Sequence, residues 1–306
     1  VGNEGKCDYE EELIATNLIS QIIGRDTLFD AYFNNDAETV FRLVEKIKNY
    51  SIFSSILIVD NASSDDSFSR LKERYQDNNK IVIQQTSRNG GYGYGNNYGI
   101  KYAYKKMDAD YIVLSNPDVL FSNEMVQKLL DEMISKKAAV VAGTQRVNGK
   151  PIRTPAWKIP TAMQWTLIET KLWKYAAKQY YYDPKMFNQR DLQVECVHGA
   201  MFLLDPKKFL DVGGYDEDMF LFGEETVLGY KLRAKGYKSF LLNNVYYDHE
   251  GSTSIKKSFN STIKQDKITH NSKLIYMKHC LKISSTKLLF YKLVLNSIIT
   301  KKKLKS

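Results

Sequence analysis

The sequence predicts an α/β protein built on a doubly wound, mostly parallel sheet, and three observations carry that expectation. Four short apolar runs alternate with helix-forming stretches from Thr27 to Leu114, a β-α-β-α-β-α-β rhythm in about 90 residues. The second run, Ser55 to Val59, is continuous and β-branched, which suits a strand covered on both faces. Polar residues then follow the runs in succession: Asn34, Asp60, Asn89 and Asp118. In open sheets of this kind ligands bind at the carboxyl ends of the strands.

Taken in order, residues 1 to 26 read as an N-terminal extension with one helix over Leu13 to Ile23. Thr27 to Phe33 is the first strand, stopped at Asn34-Asn35-Asp36. Val40, Phe41, Val44 and Ile47 then recur at helical spacing. After the strand Ser55 to Val59, the run Ser63-Ser64-Asp65-Asp66 supplies capping side chains for a helix over Ser67 to Tyr75. Ile81 to Gln84 is a third strand, followed by a glycine-rich loop and a helix from Asn96 to Lys106. Tyr111 to Leu114 is the fourth strand. Asn116-Pro117 ends it, because proline has no ladder donor, and Asp118 is left at its carboxyl end.

A helix over Glu124 to Ser135 and a strand over Ala138 to Ala142 continue the rhythm, and Lys150 to Asp191 breaks it. That segment holds four of the six prolines, all three tryptophans (Trp157, Trp165, Trp173) and the cluster Tyr180-Tyr181-Tyr182. Beyond it come a strand from Val194 to Leu204, a turn at Gly213-Gly214, a helix from Glu225 to Ala234 and a strand from Ser239 to Tyr247.

Composition narrows the function classes. Hydrophobic residues make up 43% and charged residues 26% of the 306, as in a soluble globular protein. Three widely spaced cysteines (Cys7, Cys196, Cys280) argue against a disulfide framework, and four scattered histidines with no CxxC pair argue against structural zinc. The net charge of +9 is unevenly placed. From Lys256 onward there are 13 lysines and one acid, Asp266, so the remaining 255 residues sum to −3. No nucleic-acid-binding motif accompanies this charge. No signal layout and no run of about 18 apolar residues is present, so a cytoplasmic protein is expected.

The stretch Asn89-Gly-Gly-Tyr-Gly-Tyr-Gly-Asn-Asn-Tyr-Gly99 has five glycines in eleven residues, which lets a backbone approach a ligand closely. No triple has the i, i+2, i+5 spacing of the dinucleotide fingerprint, and no Walker lysine follows. Four polar strand ends on one sheet edge would line a nucleotide-sized cleft, although turns alone also favour such residues.

Three segments together are more specific: Ile58-Val-Asp-Asn-Ala-Ser-Ser-Asp65, the Asn89 to Gly99 run and Leu114-Ser-Asn-Pro-Asp-Val119. They resemble successive motifs of the family-two nucleotide-sugar glycosyltransferases. Gly199-Ala-Met-Phe-Leu-Leu, Gly213-Gly-Tyr-Asp-Glu217, Phe220-Leu-Phe-Gly-Glu-Glu225 and Leu232-Arg-Ala-Lys-Gly-Tyr237 continue the resemblance in order, from Leu28 to Ser254. The flavour is that of rhamnosyl- and galactosyltransferase-like enzymes of bacterial surface polysaccharide assembly. The resemblance implies a GT-A fold and transfer with inversion at the sugar.

It also implies roles residue by residue. Asp60, with Asn61, would meet the nucleotide base, against backbone at Ala31, Phe33 and Asn34. Asn89, Gly90, Gly95 and Asn96 would lie along ribose and diphosphate. Asp118 stands where the family's DxD motif has its last acid and would bind Mn²⁺ or Mg²⁺. Asn116 replaces the first acid. His249, in Asp248-His-Glu-Gly-Ser-Thr-Ser254, matches a histidine that completes the metal shell, and an imidazole ligand favours Mn²⁺. Glu225 would be the catalytic base and Glu224 its helper, although acids at a helix start are also favoured by the helix dipole.

The expected organisation is an N-terminal extension (1–26), a GT-A catalytic domain (27–255) and a basic amphipathic helical tail (256–306). The domain divides into a nucleotide-sugar half (27–145) and an acceptor half (146–255). The apolar run Lys287 to Thr300 before Lys301-Lys-Lys-Leu-Lys305 suits an anionic membrane surface, or equally a helix packed on the domain. The expected partners are a nucleoside diphosphate sugar donor and a glycan or lipid-linked glycan acceptor. Two other readings stand beside this one: a nucleotidyltransferase, and a sugar-binding protein on a decayed transferase fold.

Overall fold

The structure, a computed structural model, describes residues 19–23, 26–33, 36–249 and 262–303. Strands β1 (Ile19–Ile23) and β2 (Asp26–Phe33) lead into helix α1 (Ala37–Ile47), strand β3 (Phe53–Asp60), helix α2 (Ser67–Tyr75) and strand β4 (Ile81–Gln85). Helix α3 (Tyr92–Lys106), strands β5 (Tyr111–Ser115) and β6 (Val119–Leu120), helix α4 (Asn123–Lys136) and strand β7 (Val140–Val147) follow. The irregular segment has two-residue strands β8 (Lys150–Pro151) and β9 (Ala156–Trp157), then helices α5 (Ala162–Leu167) and α6 (Trp173–Tyr180) and a 3-10 turn at Pro184–Asn188. Strands β10 (Asp191–Val194), β11 (Cys196–Val197) and β12 (Met201–Leu204) precede helices α7 (Pro206–Asp211) and α8 (Glu224–Ala234) and strand β13 (Ser239–His249). Two tail helices, Thr262–His279 and Ser285–Lys303, end the described chain.

Among the described residues one large sheet runs β10-β13-β7-β12-β5-β1-β2-β3-β4. Strand β2 pairs in parallel with β3 and β5, and β3 in parallel with β4, so their carboxyl ends share one edge. Strand β12 is inserted antiparallel between β5 and β7.

The continuous apolar strands are explained by cover on both faces. Ile56 and Ile58 of β3 pack with Val40, Val44, Leu71, Met125 and Leu129 from α1, α2 and α4. Their neighbours Leu57 and Val59 pack on the opposite face with Ile100, Ala103, Phe209 and Leu228 from α3, α7 and α8. Strand side chains alternate between faces, so a strand with helices on both sides is apolar at every position. All four of these β3 residues are 0% exposed.

Several sequence expectations change. The helix expected over Leu13 to Ile23 is a strand where it is described: Ile19–Ile23 pairs antiparallel with β2, and its three isoleucines suit a strand. The rest of that helix lies outside the described residues. The strand expected over Val194 to Leu204 is three strands, because successive pieces pair with β13, with β9 and with β5. The helix expected from Asn96 begins at Tyr92, so most of the glycine-rich run is helical. There the missing side chains serve helix packing: a Cβ on Gly93 would stand 3.1 Å from Cβ of Tyr215. Only Asn89 to Gly91 remains a turn, with Gly91 at φ +87°.

Candidate functional site

Asp118 is the first acid to place. Strand β5 stops at Ser115, and the amide of Asn116 donates to the carbonyl of Ala200 (2.8 Å), a last rung against the chain leading into β12. After Pro117 the chain re-enters the sheet as β6, whose Val119 and Leu120 pair with His249 and Asp248 at the end of β13. This register brings His249 Nε2 to 3.1 Å from Asp118 Oδ1. On the far side of the ring, the Gln145 amide lies 3.1 Å from Nδ1. The Gln145 amide can turn either its oxygen or its nitrogen to Nδ1, so the tautomer follows what Nε2 meets. A pocket of about 220 Å³ opens beside Asp118, lined by Thr39, Arg42, Leu43, Pro117 and Leu120.

Asp60, at the end of β3, is fully buried. Burial pushes its carboxyl above the usual range, against donors from Ser63 and Gln85 (Nε2, 2.8 Å). Next to it the Asn61 amide donates to Asn89 Oδ1 (3.0 Å), which also accepts from the Gly91 amide (3.2 Å). Strand end and glycine turn are therefore tied together. Gly90 fits because a Cβ there would strike the Tyr94 ring, 2.4 Å away. Gly95 and Asn96 lie in the first turns of α3. Asn96 is buried and its amide returns to the Tyr92 carbonyl (2.7 Å), with Oδ1 left without a hydrogen-bond partner. For Ala31 and Phe33 the backbone alone is described, opposite Ile58 and Asp60 in the β2–β3 ladder. Asn34 lies outside the described residues.

Glu224 and Glu225 open α8 after two consecutive left-handed residues, Phe222 (φ 71°) and Gly223 (φ 100°). The two acids differ in environment. Glu224 is 2% exposed, and burial together with the charge of Glu225 holds its carboxyl well above the usual range. Glu225 is half-buried, and its Oε1 accepts the backbone amide of Gly199 (3.2 Å). The carbonyl of Gly199 is in turn held by the Tyr92 hydroxyl (2.8 Å), so the turn before β12 joins α3 and α8 at one glycine.

His198, which the sequence reading did not single out, directly precedes the Gly199 turn. Its Nε2 lies 2.9 Å from the Thr154 carbonyl and its ring stands edge-on to Trp157. Burial lowers its pKa, against the bond to the Thr154 carbonyl, which raises it. A neutral ring donating from Nε2 leaves Nδ1 as an acceptor. Its position directly before the Gly199-Ala200 pair was the available signal.

Another convergence, Asp216, Asp218 and His279, lies at the joint between the Gly213 turn and the first tail helix, where His279 Nδ1 meets Asp216 at 2.7 Å.

With this geometry in hand, comparison with known proteins settles the family. The model of "Glycosyl transferase family 2" matches residues 31–212. The chain belongs to glycosyl transferase family 2. The match takes in Asp60, the glycine turn, Asp118 and Gly199, and ends before Glu224, Glu225 and His249. A curated relative is the low-salt glycan biosynthesis hexosyltransferase Agl10 of Haloferax volcanii, 26% identical over 199 residues. The aligned part is 63% of this chain and spans 59% of that protein. Among solved structures, the mannosyltransferase PcManGT of Pyrobaculum calidifontis, in complex with GDP-Man and Mn²⁺, superposes with a TM-score of 0.54 at 10% identity. It covers 86% of this chain and 67% of its own. GalNAc-T7 with UDP, GalNAc and Mn²⁺ superposes with a TM-score of 0.55 at 13% identity, covering 69% of this chain and 41% of its own. The family-two chain thus has the GT-A fold. No helix among its described residues is long and apolar enough to cross a membrane.

Proposed function

We propose that this chain is a metal-dependent, inverting glycosyltransferase that moves a sugar from a nucleoside diphosphate donor to a glycan or lipid-linked glycan of a cell surface. The observation that carries the reading is the convergence of Asp118 and His249, with Glu225 presented on the neighbouring helix. A carboxylate oxygen and an imidazole nitrogen 3.1 Å apart fit two ligands of one divalent cation once Nε2 carries no proton. Asp118 and His249 would hold it, and Asn116 supplies no second acid. When bound, Mn²⁺ or Mg²⁺ there supplies positive charge to the diphosphate leaving group. The two solved neighbours were obtained with Mn²⁺, which agrees with this assignment.

The remaining chemistry belongs to the chain. Asp60 and Asn61 at the end of β3, with the turn at Asn89 and Gly90, bind and orient the nucleotide. Glu225 Oε1 is fixed by the Gly199 amide, which leaves Oε2 to take the proton of the acceptor hydroxyl. That oxygen attacks the anomeric carbon as the bond to the diphosphate breaks on the opposite face, and the configuration inverts. Glu224, kept neutral by burial, adds no competing negative charge beside the base.

The acceptor reading has its own support. The second tail helix buries Leu295 and Ile299 but exposes Leu289, Phe290 and Leu293, with Lys301, Lys302 and Lys303 following. This apolar, basic face suits an anionic membrane surface where a lipid-linked acceptor would lie.

A panel of nucleoside diphosphate sugars with Mn²⁺ or Mg²⁺, scored for released nucleoside diphosphate, tests the activity. Turnover of none of them, or full activity in Asp118→Ala, would refute the mechanism. Cosedimentation with vesicles containing anionic lipid tests the tail. Phe290→Ser with Leu293→Ser should weaken it, and unchanged binding would remove the membrane reading.

A further inference from the structure

We propose that the first tail helix, Thr262–His279, is a working part of the active centre, and that Ser272 is a positioning residue for Glu225. This rests on the reading of Glu225 as the base.

The segment Met219 to Gly223 carries α8 and hence both glutamates. It contains two consecutive residues in the left-handed region, one of them the non-glycine Phe222. Such a backbone persists only where its surroundings hold it. On one side it is held by the glycine turn: the Tyr92 amide donates to the Phe220 carbonyl (3.0 Å), against which Gly91 is packed so closely that a Cβ would come within 2.2 Å.

The tail helix holds the other side at two points. Ser272, 1% exposed, donates its hydroxyl to the Leu221 carbonyl (2.9 Å), immediately before the left-handed pair. Trp165 makes the second contact. Its ring lies against Gly223, where a Cβ would be 2.9 Å from it, and edge-on to Tyr276 of the tail helix, with centroids 4.9 Å apart. The Trp165 carbonyl accepts from Lys273 Nζ (2.9 Å). Lys273 is 2% exposed and ion-paired with Glu169, which also meets His270 Nε2 at 2.6 Å. A lysine this deep is tolerated only with such partners. The helix is therefore fastened by buried polar bonds rather than by apolar contact alone.

A catalytic group displaced by about 1 Å loses about a hundredfold in rate. Ser272 fixes the one carbonyl whose movement would turn Phe222 and Gly223, and with them the first turn of α8. The Gly199 amide then fixes the carboxylate itself. The base is held from the tail through its backbone and from the turn before β12 through its side chain.

The test compares Ser272→Ala, Ser272→Thr and Asn271→Ala with the parent. The last trims the exposed neighbour of Ser272 on the same helix. In Ser272→Ala, kcat should fall about tenfold while donor KM and Tm stay near the parent values, and amide hydrogen exchange over Phe222 to Glu225 should quicken. Ser272→Thr restores the hydroxyl and should restore kcat, and Asn271→Ala should keep it. Unchanged kcat and exchange in Ser272→Ala would overturn the proposal, as would equal losses of kcat and Tm in all three variants. If the parent turns over no donor, the transferase reading fails first. The exchange rates then still decide whether Ser272 holds the segment.

Discussion

His249 Nε2 stands 3.1 Å from Asp118 Oδ1 although 131 positions separate the two residues. The pairing of β6 with the end of β13 makes this contact, since Asp118 immediately precedes β6 and His249 is opposite its first residue. An acid at the end of one strand thus acquires an imidazole from another.

Removing either member should separate their roles. Asp118→Ala should abolish metal-dependent donor turnover, whereas His249→Ala should weaken Mn²⁺ affinity about tenfold or more and shift preference towards Mg²⁺. Manganese titration followed by electron paramagnetic resonance reads this directly. Equal Mn²⁺ affinity in parent and both variants would remove the metal assignment.

The two glutamates should respond differently to loss of charge. Glu225→Gln should lower kcat by about 10²- to 10⁴-fold with donor binding retained. Glu224 has its folded-state pKa raised by burial, so folding takes up a proton once the pH exceeds the unfolded value of about 4.3. The cost of keeping that proton grows as the pH rises further, until the buried acid ionises. Glu224→Gln should therefore raise Tm at pH 8 more than at pH 4, and an equal change at both would contradict the burial argument.

Gly91 combines φ +87° with contact against the Phe220 carbonyl. Gly91→Ala should destabilise the protein by about 2 kcal/mol or more, read by urea unfolding. The loss combines backbone strain with a displaced Met219–Gly223 segment, so kcat should fall as well.

At Glu169, burial would raise the pKa, but the His270 bond and the Lys273 charge together bring it down to about 2. A depressed acid stabilises the fold above the unfolded value of about 4.3 and loses that contribution as the pH falls towards about 2. Lys273 shifts downward through burial, so the lysine gives back part of what the glutamate gains. Glu169→Gln should be less stable than the parent at pH 7 and should converge with it near pH 2. Parallel stability curves across that range would contradict the ion-pair reading.

The order of strands and helices was legible because a strand between two helix layers must be apolar at every position, and Ile56 to Val59 is. Asp60 and Asp118 could be named for the same reason, since one ends such a strand and the other stands three residues beyond one. The glycine-rich run misled, because glycine is used both where a backbone bends and where two elements touch. Of its five glycines only Gly91 has a left-handed φ, while Gly93 is a contact inside α3.

By itself, then, the sequence determined the parallel strands β2 to β5, the helices between them and the polar residues at their carboxyl ends, because these follow from local periodicity and from the residues that end strands. Only the tertiary structure decided which groups meet. The pairing of β6 with β13 joined His249 to Asp118. Gly199 ties Glu225 to Tyr92, and buried bonds from Ser272 and Lys273 fasten the tail helix to the segment before α8 and to Trp165. Those contacts depend on register and packing between segments far apart in the chain, which no local pattern encodes.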